Sequence, residues 1–433
     1  MPWVILAIIL ILIIAVIAMY NKLVNAKMKV DNSWSQIDVQ LQRRFDLIPN
    51  FVETVKAYAS HESETFEKIA SLRTSWANAN TVAQKANLDE QLSTALKTIM
   101  AVSENYPELK ANQNFSEFMN NTNPKIIVVG STNVDFCSHV ARLPRPGETI
   151  GGGKFMQASG GKGANQAVAA ARLGGDVKFI TAVGNDSFGR EQICNFQKAS
   201  IDCSGIYCAE DVNTGIALIM IDEHGENCIT VNPGANAMLT PERLSAIDDS
   251  INDADVLLMQ AEISYITIKQ VARKAKDAGV SVIFNPAPVC DIDAELMSMV
   301  DVLILNQTEA AILSAKDTEA EAARELINRG VKNVVITLGS KGACYYSSNG
   351  DVERISSYKV NAVDTVGAGD TFCGALAVAY AKHHTLDVAS LQFASAAAAL
   401  SVTRRGAQPS IPTIEETTKF MQENSNYNVS QYY

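Results

Sequence analysis

Pro124-Lys125-Ile126-Ile127-Val128-Val129-Gly130 is the stretch on which the fold turns. Four apolar, largely β-branched residues ending in glycine read as a short strand buried on both faces, followed by a turn. Similar runs recur at Val256-Leu-Leu-Met259, Val280-Ser-Val-Ile-Phe284, Val302-Leu-Ile-Leu305 and Val334-Val-Ile-Thr337. Helical stretches separate most of them. That alternation predicts an α/β domain with a largely parallel sheet over residues 124–433.

Upstream of Pro124 the pattern is different. Ile37, Leu41, Phe45, Ile48, Val52 and Val55 step by three or four and form one apolar helical stripe. Pro49 interrupts it, and further helical stretches run about 63–78 and 81–106, with Pro107 as a stop. No catalytic constellation is visible between residues 22 and 123, which reads as an all-α helical domain. Residues 1–21 carry no charged side chain, and Val4 to Ala18 is unbroken Val, Ile, Leu and Ala, with Trp3 and Tyr20 at its ends. That length and those aromatic ends predict a transmembrane helix in contact with the lipid bilayer. Lys22, Lys27 and Lys29 follow it, so the positive-inside rule predicts a single-pass membrane protein with the rest of the chain cytoplasmic.

Composition narrows the function. The 433 residues hold 36 bases and 47 acids, a net charge of −11. Ten of those charges belong to residues 124–433. An acidic chain without a basic block is a poor match to nucleic acid phosphates. The eight cysteines are scattered with no C-x-x-C pair, and the five histidines show no ligand spacing. Zinc and disulfide frameworks are therefore not expected.

The densest chemical signal is Asp364-Thr-Val-Gly-Ala-Gly-Asp370-Thr-Phe372, leading into an Ala-rich helical stretch. Gly367, Ala368 and Gly369 can present successive backbone N–H groups to an anion at a helix N-terminus. Asp370 beside them is suited to take a proton from an attacking hydroxyl; a glycine turn with an Asp cap is the structural alternative. Ser159-Gly-Gly-Lys-Gly-Ala-Asn165 is a second glycine-rich stretch before a helix at about 166–173, without Walker A spacing. Gly160 and Gly161 allow close approach of a polyhydroxyl ligand. Gly130-Ser-Thr-Asn133-Val-Asp135 follows the first strand, where α/β folds bind ligands. Asn306-Gln-Thr-Glu309 follows another strand; Glu309 could hold Mg²⁺ through water, or simply start a helix. Thr337-Leu-Gly339-Ser-Lys-Gly342 is a strand–turn suited to a nucleotide.

Two family resemblances cover the chain. Tyr20-Asn-Lys-Leu-Val24, Val30-Asp-Asn-Ser-Trp34, the run 36–50, the run 52–62 and the run 104–112 resemble the LemA family. The likeness departs after residues 114–121, where that family continues into a further helix. The motifs of residues 124–433, with Leu143-Pro-Arg-Pro-Gly-Glu-Thr149, Gly234-Ala-Asn236, Met259-Gln-Ala-Glu262, Asn285-Pro-Ala-Pro288 and Val402-Thr-Arg-Arg-Gly-Ala-Gln-Pro-Ser410, resemble the PfkB family of carbohydrate kinases, and within it the ribokinase group.

The kinase resemblance implies a three-layer α/β core with a small β-sheet lid, for which residues 216–231 would supply a hairpin, and a homodimer formed through that lid. It implies ATP-dependent phosphorylation of D-ribose at O5, with deoxyribose, fructose or a nucleoside as alternative acceptors. A membrane scaffold with an inactive kinase module is the alternative of a different class. By resemblance Asn133, Asp135, Gly161, Lys162, Asn165 and Glu262 hold sugar hydroxyls and Asp370 is the base. Asn306, Thr337, Gly339, Gly342 and Gly369 contact ATP. Ser395 stands where some relatives place a His near the adenine, and Cys373 where Asn is common. K⁺ is implied at Asp364, Val366, Ser401, Arg404, Gly406 and Ser410, and Mg²⁺ near Glu309.

Overall fold

The protein is described here as a computed structural model, which defines residues 123–424 except 225 and 245–249, together with a few positions between 71 and 91. The expected membrane span at 1–21 lies outside the described residues, as does most of the expected helical domain at 22–123. Ser71, Leu72, Thr74, Ser75, Gln84, Leu88 and Gln91 are helical. Among the described residues no helix is long and apolar enough to cross a membrane. The chain divides into two compact units, 1–122 and 123–433.

In the second unit the run that opens at Lys125 forms β1 (Lys125–Val129). It is an interior strand of a nine-stranded sheet. To one side lie β4 (Asp176–Gly184) and then the edge strand β5 (Ile206–Ala209). To the other lie β8 (Val256–Gln260), β9 (Ser281–Asn285), β10 (Val302–Asn306), β11 (Asn333–Thr337), β12 (Ala343–Ser347) and β13 (Val352–Ile355). The pairing is parallel from β5 to β11, and β12 and β13 close the edge antiparallel.

The period of two explains why β1 lacks polar residues. Ile126 and Val128 join one core and Ile127 and Val129 the other, on opposite faces. The first core includes α1 (Lys162–Arg172), α7 (Ala368–His383) and α8 (Val388–Ser401). The second includes α3 (Tyr265–Asp277), α4 (Ala294–Met299), α5 (Gln307–Ser314) and α6 (Glu319–Asn328). The outcome is the expected helix–sheet–helix sandwich. α2 (Ser187–Lys198) adds Phe196, which meets Phe179 of β4 edge-on at 5.2 Å. α9 (Ile414–Glu423) follows α8.

A second sheet carries β2 (Asn133–His139) between β3 (Lys154–Gly160) and β6 (Gly215–Ile221), with β7 (Asn227–Asn232) outermost. β6 and β7 form the expected hairpin. In its turn the Asp222 carboxylate accepts the N–H groups of His224 and Glu226.

Two sequence expectations shift. Asn133 and Asp135 do not sit in a turn after β1: the chain passes only Gly130, Ser131 and Thr132 before entering β2, so both belong to the small sheet. The helix after the second glycine motif starts at Lys162, earlier than the expected 166, because Gly161 at φ 88° ends β3 and turns the chain directly into α1. Strands β4 and β13 gave no clear signal, since Asp176, Lys178, Thr181, Glu353 and Arg354 break their apolar runs.

α1 and α7 pack with almost no space between them at Gly374. A methyl group there would lie 2.6 Å from Ala169 Cβ and 2.7 Å from the Gln166 carbonyl oxygen. Gly374→Ala is expected to destabilise this unit by about 1–3 kcal/mol, measured by denaturant unfolding, because the helices must separate. An unchanged midpoint would contradict this tight contact.

Candidate active site

Asp370 occupies the first turn of α7, directly after Gly367-Ala368-Gly369. Gly367 is the N-cap at φ 76°, a left-handed conformation that L side chains adopt at a cost. The Gly367 carbonyl accepts from the Thr371 N–H and hydroxyl, which locks the turn. Gly369 is exposed, and nothing lies within 4 Å of its side-chain direction. Gly369 therefore borders open space, with the positive end of the helix dipole behind it, while the Ala368 N–H donates to the Thr365 carbonyl at 3.3 Å.

The Asp370 carboxylate is only 7% exposed. Asn165 Nδ2 donates to one oxygen at 2.9 Å and Gln166 Nε2 to the other at 3.0 Å. Both donors come from the first turn of α1. A buried carboxylate needs such donors to remain in place. Thus the two glycine-rich motifs, far apart in sequence, converge on one carboxyl group.

Around it stand the other polar residues expected to meet a sugar. Glu262 accepts the Lys162 backbone N–H at 2.9 Å and the Ser131 hydroxyl. Lys162 is raised above its ordinary range chiefly by the Asp370 charge, against its own burial, with Glu262 and Glu309 adding to the rise. Asp135 is pushed up to about 6, first by burial and then by the charges of Glu262 and Asp370. Asn133 is buried, and its side-chain oxygen already accepts Asn236 Nδ2 at 2.8 Å. Cys373 is fully buried one turn into α7, and burial drives its thiol well above the usual range, so it packs rather than reacts.

Asn306 and Thr337 are in register neighbours at the C-terminal ends of β10 and β11. Gly339 opens the short 3₁₀ turn that follows and Gly342 caps its end, both with positive φ. Ser395 is buried in α8. Glu309 does start a helix: its carboxylate accepts the Asn306 N–H at 2.9 Å, and the Asn306 side chain accepts the Glu309 N–H at 2.8 Å. One Glu309 carboxylate oxygen has no bond in this capping box.

The residues expected around K⁺ come from two loops joined by their backbones. Asp364 accepts the N–H groups of Val366 at 3.0 Å and Gly406 at 2.8 Å, while the Val402 carbonyl accepts those of Val363 and Asp364. The hydroxyls of Ser401 and Ser410 donate to the carbonyls of Ala398 and Ala407. The Arg404 guanidinium turns away to a two-point pair with Glu416, so only its backbone could serve a cation. Among the described residues no cluster of His, Cys, Asp or Glu has the form of a metal site.

Sequence reading missed Gln166, Gln260, Asn285, Asn236 and Gln408 as parts of this network. One signal was present: Gln260 closes the apolar run of β8, a polar residue where a fully buried strand reaches the ligand edge of the sheet.

With this geometry established, comparison with known proteins is specific. Residues 123–414 match the pfkB family carbohydrate kinases, and residues 33–125 match the LemA family. The chain belongs to the pfkB family of carbohydrate kinases. It is similar to the ribokinase of Haemophilus influenzae, 40% identical over 302 residues, covering 69% of this chain and 98% of that one. A deoxyribokinase of Salmonella typhi is 33% identical over 305 residues, covering 69% and 99%. The structure of Arabidopsis thaliana ribokinase complexed with ribose and ATP aligns with a TM-score of 0.66 at 33% identity, covering 70% and 99%.

Asp135 supplies a test independent of turnover. Its folded value near 6 lies above the ordinary 3.8, so its contribution to stability is full below pH 3.8 and is lost as pH rises through about 6. Asp135→Asn is thus expected to stabilise the unliganded protein at pH 7.5, by up to about 3 kcal/mol, and much less at pH 4.5. Thermal unfolding at both pH values checks this; an equal shift at both would refute the burial effect.

Proposed function

We propose that residues 123–433 transfer the terminal phosphoryl group of ATP to the 5-hydroxyl of D-ribose, giving ribose 5-phosphate and ADP. The observation that carries this is the buried Asp370 carboxylate, fixed by two amide donors next to the open N-terminus of α7. In this reading Asp370 accepts the 5-hydroxyl proton as that oxygen bonds to the γ-phosphorus and the bond to the bridging oxygen of ADP breaks. The peptide N–H groups at Gly367, Ala368 and Gly369 meet the charge that grows on the phosphoryl oxygens. Asp135, Gly161, Lys162, Asn165 and Glu262 grip the remaining sugar hydroxyls, with Asn133 supporting them. Asn306, Thr337, Gly339, Gly342 and Ser395 form the nucleotide side.

Mg²⁺ would be held near Glu309 through water, by the carboxylate oxygen outside the capping box, and would neutralise phosphate charge. K⁺ would sit between the loops of 364–366 and 401–410, on backbone carbonyls of Val366, Ser401, Arg404 and Gly406 with oxygens of Asp364 and Ser410. It would add positive potential beside the α7 N-terminus.

The ribokinase relatives support ribose as acceptor, and the deoxyribokinase relative favours 2-deoxyribose as a second reading. A coupled ADP-release assay separates them. D-ribose is expected to give the higher kcat/KM, and Asp370→Asn to lower kcat by about 10²–10⁴-fold. A preference for 2-deoxyribose would change the acceptor, and a fully active Asp370→Asn would remove the base. In the same assay, omitting Mg²⁺ or exchanging K⁺ for tetramethylammonium is expected to slow turnover; no response would remove that ion.

We further infer that residues 1–21 span a membrane once, with residues 22–433 on the cytoplasmic side. The charge-free apolar run and the lysines after it support this. A homodimer through the small sheet is supported by its exposed Phe155, Leu218, Ile229 and Val231, each more than half accessible. The chain is expected in the membrane pellet after carbonate washing, and deletion of residues 1–21 should release it as a dimer in light scattering. Soluble full-length protein would overturn the anchor, and a monomeric released form the dimer.

A further inference from the structure

The donors to Asp370 are themselves held by a second layer of amides. Gln260 Nε2 donates to Gln166 Oε1 at 2.7 Å, and Gln408 Nε2 donates to Asn165 Oδ1 at 3.2 Å. Gln166 Nε2 also reaches Asn285 Oδ1 at 3.1 Å, and Asn285 Nδ2 donates to the Ile304 carbonyl at 2.9 Å. Asn165, Gln166, Gln260, Asn285 and Gln408 are all buried. An amide side chain has a donor end and an acceptor end of nearly equal shape. Rotated by half a turn, Gln166 would turn its oxygen toward the Asp370 carboxylate and its NH₂ toward the NH₂ of Gln260. The bond from Gln260 forbids that orientation at the far end, as Asp370 does at the near end.

The chain Gln260–Gln166–Asp370 thus runs in one direction, every NH₂ aimed toward the carboxylate. Its last acceptor, Gln260 Oε1, is buried without any hydrogen-bond partner. It lies against Gly130, where a side chain would collide with it. A buried orphan oxygen destabilises a fold. Here it is the terminus of a relay whose other end is the reacting carboxylate.

We propose that Gln260 is a positioning residue: acting through Gln166, it fixes the orientation in which Asp370 meets the substrate hydroxyl. The inference rests on Asp370 being the base. Gln260 itself has no bond to Asp370 or to any residue assigned above to sugar or nucleotide.

Gln260→Met keeps the length and removes both the donor and the orphan oxygen. It is expected to lower the single-turnover rate of phosphoryl transfer about 3- to 10-fold, the range for a hydrogen bond between neutral groups. KM values for sugar and ATP should stay within about threefold, since the binding residues keep their places. The thermal midpoint should stay about where it is, because the variant removes one orphan oxygen at Gln260 and leaves one at Gln166, whereas a purely structural role would lower it. Gln260→Leu, which also removes the NH₂ and brings in no charge or new donor, serves as the second variant if the first does not fold, with the same kinetic split expected. An unchanged rate, or a loss confined to KM, in a folded variant overturns the proposal. If Asp370→Asn is inactive while Gln260→Met is fully active, only this inference falls. If Asp370→Asn retains turnover, the base assignment and this inference fall together.

Discussion

A carboxylate removed from water must be met by donors, or it is either protonated or expelled. That constraint at Asp370 organises much of the kinase unit. Its donors sit on the first turn of α1, so α1 and α7 must present their N-termini to each other at hydrogen-bonding range. The space left out at Gly374 lets the two helices approach, and the left-handed glycines 161 and 367 bring each helix in at the required angle. The parallel sheet does the rest. In a parallel α/β sheet the strand C-terminal ends lie along one edge, so Gln260, Asn285 and Asn306 face the same side as the two helix starts.

The electrostatics of this edge are local. Residues 124–433 carry nearly all the net negative charge of the chain, yet the proposed reaction handles a polyanion. Lys162 is surrounded by the charges of Asp370, Glu262 and Glu309, which hold it protonated but offset its field. Attraction for phosphate then falls to peptide N–H groups and the α7 dipole, whose charge is fixed by the fold and independent of pH.

What the sequence revealed follows from how local each feature is. β1, β8, β9, β10 and β11 were legible because burial on both faces leaves an unbroken apolar run. Asp370 and its glycines were legible because the anion-binding turn is built from consecutive residues. Glu309 showed both its readings within four residues, and the capping box is the one realised. The relay was not legible, since Gln408 lies 243 residues from Asn165 and Gln260 lies 94 from Gln166. No spacing rule connects such positions; only the packing of α1 against β8 and against the turn at Gln408–Ser410 does. Asn133 and Asp135 were assigned to the right neighbourhood but the wrong element, because a three-residue link from one sheet to another carries no pattern of its own.

That short link has a mechanical consequence. Asn133 pairs with Gly160 and with Gly215, and Ile216 with Asn232, so all four strands of the small sheet leave the core along one line. Any swing of the sheet therefore pivots at that line, like a door whose hinges share one edge. At ~3.3 Å per residue, Asp135 is about 7 Å along β2 from the pivot and His139 about 20 Å. The far edge must sweep roughly three times the arc of the carboxylate. A far-edge opening of about 9 Å would thus move Asp135 by only about 3 Å, so a sugar gripped by it would be displaced far less than the sheet's outer end.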